Sequence, residues 1–239
     1  MSPKFDGKVV LVAGGTGGLG RAVTLAFLEE SAKVAVTLRG QGEFDALKSA
    51  AGKNEPSLEG HAVDVTDEIA VRQLVEKIVG KYRRLDVMVN TVGGYAGGTK
   101  LWELESKVFD QMLALNLRSV YALSRAAVRT MLKQGHGAIV NVAAKAAFDH
   151  AAGAAAYAAA KSAAVALMDS LAADLKGSGV RVNSILPSII DTEANRKAMP
   201  SADFSKWPKP EDLARVILFL CSDDAKVIHR AVIPVYGDS

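Results

Sequence analysis

Short apolar runs alternate along the chain with longer stretches in which apolar residues recur three and four positions apart. The runs predict strands at Lys8–Ala13, Lys33–Leu38, Gly60–Asp64, Leu85–Asn90, Gly137–Val142, Val180–Leu186 and Ala231–Val235. Between them the longer spacing predicts helices near Gly18–Glu30, Phe44–Ala51, Asp67–Lys81, Ser106–Gln134, Ala154–Lys176 and Pro210–Leu220. The first run, Lys8-Val9-Val10-Leu11-Val12-Ala13, is apolar on successive residues, as a strand covered on both faces must be. Strands of that kind alternating with helices imply βα units, and right-handed crossovers then wind them into an open, doubly wound α/β sheet of about seven parallel strands. No internal repeat or linker interrupts the pattern, so residues 1–239 are expected to form one domain. Ligands of such sheets sit beyond the carboxyl ends of the strands, which directs attention to the residues just after each run.

Composition narrows the function without naming it. At 49% hydrophobic and 23% charged residues the chain can bury a sizeable core, which excludes a disordered or fibrous protein. A net charge of +3, evenly spread, gives no reason to expect nucleic acid or a membrane surface as partner. Cys221 is the only cysteine, so no intramolecular disulfide forms. His61, His136, His150 and His229 are scattered without metal spacing, and no metal is expected. The segment Met1–Lys8 lacks the apolar core of a signal peptide, and no uncharged apolar run reaches the ~18 residues of a membrane span. The expectation is a soluble cytoplasmic protein that acts on a small molecule.

The first strand leads directly into Gly14-Gly15-Thr16-Gly17-Gly18-Leu19-Gly20 and then a helix. Glycines there let the backbone approach a pyrophosphate, which the helix N-terminus favours electrostatically. The spacing Gly14-x-x-x-Gly18-x-Gly20 resembles that of the short-chain dehydrogenase/reductase family, and further matches follow in order. Asp64-Val65 ends the third strand, Asn90-Thr91-Val92-Gly93 ends the fourth, Asn116 lies in the long helix, Tyr157-x-x-x-Lys161 opens the next, and Pro187, Ile190 and Thr192 follow the sixth strand. The resemblance implies a Rossmann-type fold. It also implies that Gly14, Thr16, Gly17, Gly18, Leu19, Gly20, Asp64, Val65, Asn90, Val92, Gly93, Tyr157, Lys161, Pro187, Ile190 and Thr192 hold a nicotinamide cofactor. Where NAD-preferring relatives carry an acid at the end of the second strand, this chain has Leu38 followed by Arg39. A guanidinium can pair with a 2′-phosphate, so NADP(H) is favoured and NAD(H) remains possible.

Tyr157 and Lys161 stand four residues apart, on one helix face. The resemblance makes Tyr157 the general acid, Lys161 the cation that favours its phenolate, and Asn116 part of the proton relay. The family's serine should lie 13 positions before the tyrosine, but Ala144 stands there, and no serine or threonine occurs between Ala138 and Ala156. Three further stretches, Gly93-Gly94-Tyr95-Ala96-Gly97-Gly98, Ala144-Lys145-Ala146-Ala147-Phe148-Asp149 and Asp191–Trp207, look like the serine-less quinonoid dihydropteridine reductases of that family. The implied activity is reduction of a quinonoid dihydropterin, with Tyr95, Ala144, Lys145, His150 and Asn195 about the substrate and a covering loop at about 188–209. A broader carbonyl, quinone or imine reductase is one alternative, and a non-catalytic NADP(H) sensor is another. Met112, Leu113, Leu115, Leu117, Val120, Tyr121 and Leu123 read as a packing face, and the family's habit there implies a homodimer or homotetramer.

Overall fold

The computed structural model describes residues 3–238, so Met1, Ser2 and Ser239 of the expected 1–239 domain lie outside it. Seven strands, β1 (Val9–Ala13), β2 (Lys33–Leu38), β3 (Leu58–Ala62), β4 (Val87–Asn90), β5 (Gly137–Val142), β6 (Val180–Pro187) and β7 (Val232–Val235), form one sheet. All pairings are parallel, in the order β3-β2-β1-β4-β5-β6-β7. Its direction of winding reverses between β1 and β4, which leaves a crevice beyond their carboxyl ends. The unbroken apolar character of β1 has the expected cause: Val10 and Val12 enter one core, whereas Val9, Leu11 and Ala13 enter the other.

Those two cores lie on opposite faces. Helices α1 (Gly18–Glu29), α2 (Gln41–Ala51) and, later in the chain, Pro210–Cys221 cover the first with Phe27, Leu47 and Leu213. On the second, α3 (Glu68–Tyr82) contributes Val71 and Leu74. The single helix expected over Ser106–Gln134 is instead α4 (Ser106–Leu113), a π-turn at Ala114–Arg118, and α5 (Ser119–Gln134). Helix α6 (Ala155–Asp174) completes that layer, and α7 (Glu193–Ala198) and α8 (Pro210–Cys221) follow β6. The third strand ends at Ala62, so Asp64 lies beyond it in a turn, where its carboxylate accepts from Thr66 N and Thr66 Oγ1 at 2.9 and 2.7 Å. Within the expected packing face Met112, Val120 and Leu123 are buried, whereas Tyr121 is 39% exposed. No helix among the described residues is long and apolar enough to cross a membrane.

At the amino edge of the sheet a buried carboxylate ties three strands together. Asp86 accepts from Val9 N of β1 at 2.8 Å, from Arg84 Nε at 2.7 Å and from His136 Nε2 at 3.1 Å, just before β5. Burial pushes the Asp86 carboxyl up, but the Arg84 guanidinium, the Val9 N–H and His136 outweigh it and hold the group below the usual carboxylate range. A depressed carboxylate contributes stability above its unfolded pKa and loses it as pH falls through the folded value. Asp86→Asn should therefore destabilise by about 2–4 kcal/mol at neutral pH, with the deficit shrinking below about pH 4. Urea unfolding at both pH values checks this, and a deficit that ignores pH would refute the ionic role.

Candidate active site

At the crevice the chain leaves β1 at Gly14, whose φ of +76° suits a residue without a side chain. Gly14 N donates to Thr37 Oγ1 of β2 at 2.8 Å, and Thr91 Oγ1, just after β4, donates to Ala13 O at 2.7 Å. The loop is thus fastened to both neighbouring strands. A Cβ on Gly20 would run into the Gly14 carbonyl, and one on Gly15 would lie 2.5 Å from Val36 Cγ1, so α1 packs directly onto the turn. Leu19 is buried beneath it, while Gly17 and Gly18 are exposed at its tip. Gly17 caps α1 without a side-chain partner for the first-turn N–H groups, an arrangement suited to an anion. Thr16 Oγ1 donates to Glu43 Oε2 at 3.0 Å, and Arg39, exposed at the end of β2, has no ion pair among the described residues.

Across the crevice Asn90 ends β4; its Oδ1 accepts from Val92 N at 3.1 Å and its Nδ2 donates to Asn141 Oδ1 of β5 at 3.1 Å. Gly93 follows, and a Cβ there would stand 3.0 Å from Asn116 Oδ1 and 3.2 Å from Lys161 Nζ, so its bare backbone lets both side chains close in. The π-turn turns Asn116 inward: its Nδ2 donates to Gly94 O and Met112 O at 2.9 and 3.1 Å, and its Oδ1 accepts from Gly94 N at 3.2 Å. Lys161 is 5% exposed and donates to Val142 O at 3.2 Å. Burial lowers its ammonium to a pKa of about 8. Its Nζ stands 5.9 Å from the centre of the Tyr157 ring. The sequence led to a phenolate favoured by Lys161, but burial first, and Tyr95 second, push Tyr157 up to about 12. Desolvation of a phenolate in this wall dominates, so the side chain stays a phenol.

Tyr95 lies edge-on to Tyr157, with centroids 5.0 Å apart and planes at 80°, and it is 69% exposed. Ala144, 7% exposed two residues beyond β5, stands where the family's serine was expected. Three other candidates are engaged by partners within the protein. Lys145 Nζ lies 5.2 Å over the Tyr236 ring, His150 Nε2 is within 3.2 Å of Ala147 O and 3.3 Å of Ser162 Oγ, and Asn195 Nδ2 donates to Ile190 O at 2.8 Å. After Pro187, Ile190 packs on the core, and Thr192 Cγ2 comes close enough to Gly18 that a Cβ there would lie 2.7 Å away. The expected covering loop is stapled to itself. Arg196 forms a two-pronged pair with Asp191 at 2.5 and 2.7 Å and lies 4.9 Å over the Phe204 ring. Phe204 in turn packs on Trp207, itself 7% exposed.

These residues fit a nicotinamide dinucleotide: the uncapped N-terminus of α1 suits a pyrophosphate, and the buried Lys161 ammonium has donors left for a ribose diol. Among the described residues no group of three or more His, Cys, Asp or Glu is placed to hold a metal. The short chain dehydrogenase family model matches residues 8–203. The chain belongs to the short-chain dehydrogenase/reductase family. Membership makes it an NAD(P)-dependent oxidoreductase. It is 31% identical to the 3-oxoacyl-(acyl-carrier-protein) reductase FabG of Thermotoga maritima, covering 98% of each chain. Its fold superimposes on that of ElxO with NADP bound, with a TM-score of 0.90 at 29% identity, over 96% of this chain and 97% of that one. It superimposes equally on an NAD⁺-bound xylitol dehydrogenase, with a TM-score of 0.90 at 25% identity over 98% and 99%. The relatives named here are not dihydropteridine reductases, so the family expectation holds without the narrower one.

Sequence reasoning passed over Thr37, Thr91 and Glu43, which shape the rim of the glycine loop. For Thr37 a signal existed, since one hydroxyl in a fully buried strand must find a partner. Lys161 carries the testable cost of this architecture. Below pH 8 both folded and unfolded chains hold its proton, and the folded chain carries the burial penalty. Between about 8 and 10.5 only the unfolded chain retains it, so stability rises with pH there. Lys161→Met should gain about 1–3 kcal/mol at pH 7 while turnover collapses, and its advantage should vanish near pH 10. Urea titrations of both proteins at the two pH values test this, and a variant no more stable at pH 7 counts against a charged, buried Lys161.

Proposed function

We propose that the chain reduces quinonoid dihydropteridines, or closely similar conjugated cyclic imines, to the tetrahydro form, with NADPH as the favoured reductant and NADH accepted. The observation that carries this reading is the group of three at the site wall: a protonated Tyr157 phenol, an exposed Tyr95 ring set against it, and Ala144 in place of a hydroxyl. The bound reduced nicotinamide supplies a hydride. Tyr157 holds the proton that must reach the reduced ring, and a phenol with its pKa near 12 is poised to give it up only as charge develops on the acceptor. Lys161 stands beside Tyr157 and would donate to the cofactor ribose, and Asn116 fixes the backbone at Gly94, from which Tyr95 projects. Tyr95 offers a flat apolar surface of the kind on which a pterin stacks. A delocalised heterocycle spreads its developing charge over several atoms and needs no single hydroxyl to localise an alkoxide, which accords with Ala144.

Residues 14–20 and the N-terminus of α1 would cradle the pyrophosphate, with Asn90, Val92, Pro187, Ile190 and Thr192 lining the nicotinamide half, Asp64 and Val65 the adenine, and Arg39 the 2′-phosphate. The stapled segment at about 188–209 closes over the crevice and excludes water. The buried Cys221 thiol suits a reducing cytoplasm, and the exposed Phe109 and Tyr121 on α4 and α5 suit self-association as a homodimer or homotetramer. A second reading, reduction of a carbonyl group, the 3-oxoacyl group being the one that the name of the FabG relative gives for that protein, is supported by Tyr157, Lys161 and Asn116 and opposed by Ala144.

Steady-state assays of NADPH oxidation with quinonoid dihydropterin generated in situ, beside a panel of ketones, separate the two readings. The wild type should prefer the pterin, and Tyr157→Phe should lower its turnover by about 10²-fold, the lower end for loss of a general acid, because so reactive an acceptor also takes protons from water. Ala144→Ser should leave pterin turnover flat or reduced and raise ketone turnover, where a donor to a localised oxyanion is worth about 10²-fold when well placed. A wild type inert to pterins whose serine variant becomes a competent ketone reductase would overturn the pterin reading.

A further inference from the structure

The glycine loop and the start of α2 bring two opposite charges to one rim of the cofactor groove. Gly15 rests on Val36, so Thr16 stands above the end of β2, where the chain departs through Arg39 and Gly40. Helix α2 begins at Gln41, and its first turn returns Glu43 to Thr16, whose hydroxyl donates to Glu43 Oε2 at 3.0 Å. Arg39 and Glu43 are both exposed and form no ion pair with each other. A 2′-phosphate in this corner would be drawn by Arg39, repelled by Glu43, and deprived of the Thr16 hydroxyl that Glu43 occupies. A 2′-hydroxyl would instead find in Glu43 a charged acceptor.

The geometry points to Glu43 as a specificity-determining residue: an acid that acts on the adenosine ribose from α2 rather than from the end of β2, keeping NAD(H) usable and the preference for NADP(H) narrow. This rests on the reading of the groove as a nicotinamide-dinucleotide site. Arg39 alone would drive the chain towards NADP(H); Glu43 sets the limit.

The test is binding rather than turnover. Calorimetric titration of wild type and Glu43→Gln with adenosine 2′,5′-bisphosphate and adenosine 5′-monophosphate isolates the ribose corner, and NADPH and NADH serve as whole-cofactor probes. Glutamine keeps the acceptor for Thr16 and removes only the charge, and an exposed site should leave the melting temperature unchanged. Glu43→Gln should tighten the bisphosphate by about 3- to 10-fold and weaken the monophosphate by about 2- to 5-fold. The gain should shrink in 1 M salt, as screening requires. An unchanged bisphosphate affinity, or equal shifts for both fragments, would overturn the role of Glu43 while leaving the groove intact. A wild type that binds neither the fragments nor either cofactor would overturn the reading of the groove, and Glu43 with it.

Discussion

The whole site hangs on a close approach of backbone to backbone: the first turn of α1 lies against the Gly14 carbonyl, which no residue larger than glycine at position 20 would allow. That contact brings the open end of α1 to the crevice between β1 and β4, and Thr37 and Thr91 then pin the turn between its neighbouring strands. Everything functional is placed relative to this corner. Thr192 reaches it from beyond β6, Glu43 from α2, and Gly93 faces it from the end of β4, carrying Asn116 and Lys161 with it. The sheet therefore does more than support the site, because its strand order decides which loops meet.

The electrostatics follow from how tightly that meeting is packed. A lysine ammonium enclosed between β5, α6 and the Gly93 backbone loses much of its hydration and regains one carbonyl, so it is held at the margin of ionisation. The neighbouring phenol is affected in the opposite sense, since exclusion of water penalises its anion. The bare protein is thus set for giving a proton, and it would need further positive charge near Tyr157 to favour taking one. That asymmetry agrees with a reductase and was invisible in the spacing of Tyr157 and Lys161, which records proximity but not solvation.

Legibility in the sequence followed the same division. The seven strands could be read because strands buried on both faces leave uninterrupted apolar runs, and their parallel order followed from the alternation with helices. The glycine turn was legible because close approach demands a residue type. The π-turn that aims Asn116 was not, since one extra residue in a helical turn barely disturbs the apolar period between Ser106 and Gln134. The turn at Asp64 was missed because Ala62, the last paired residue, is followed by Val63, which continues the apolar trend after pairing has ended. Glu43 and Thr16 are 27 positions apart, and only the tertiary fold reveals that they touch. Lys145, His150 and Asn195 were placed near the substrate by resemblance, while their contacts are set by Tyr236, Ser162 and Ile190, partners that no local pattern discloses.

The chain of contacts from Asp191 through Arg196 and Phe204 to Trp207 bears on how the crevice selects its occupant. A loose segment would have to surrender its conformational entropy each time a ligand arrived, and would mould itself to many shapes in doing so. Here most of that entropy is already lost when the chain folds, because a bidentate ion pair and two rings in tilted contact define the segment before anything binds. As the proposed cover of the crevice, such a segment would discriminate by rigid outline. It would admit thin, planar molecules that slide beneath it and turn away bulky or puckered ones that would have to break its internal contacts first.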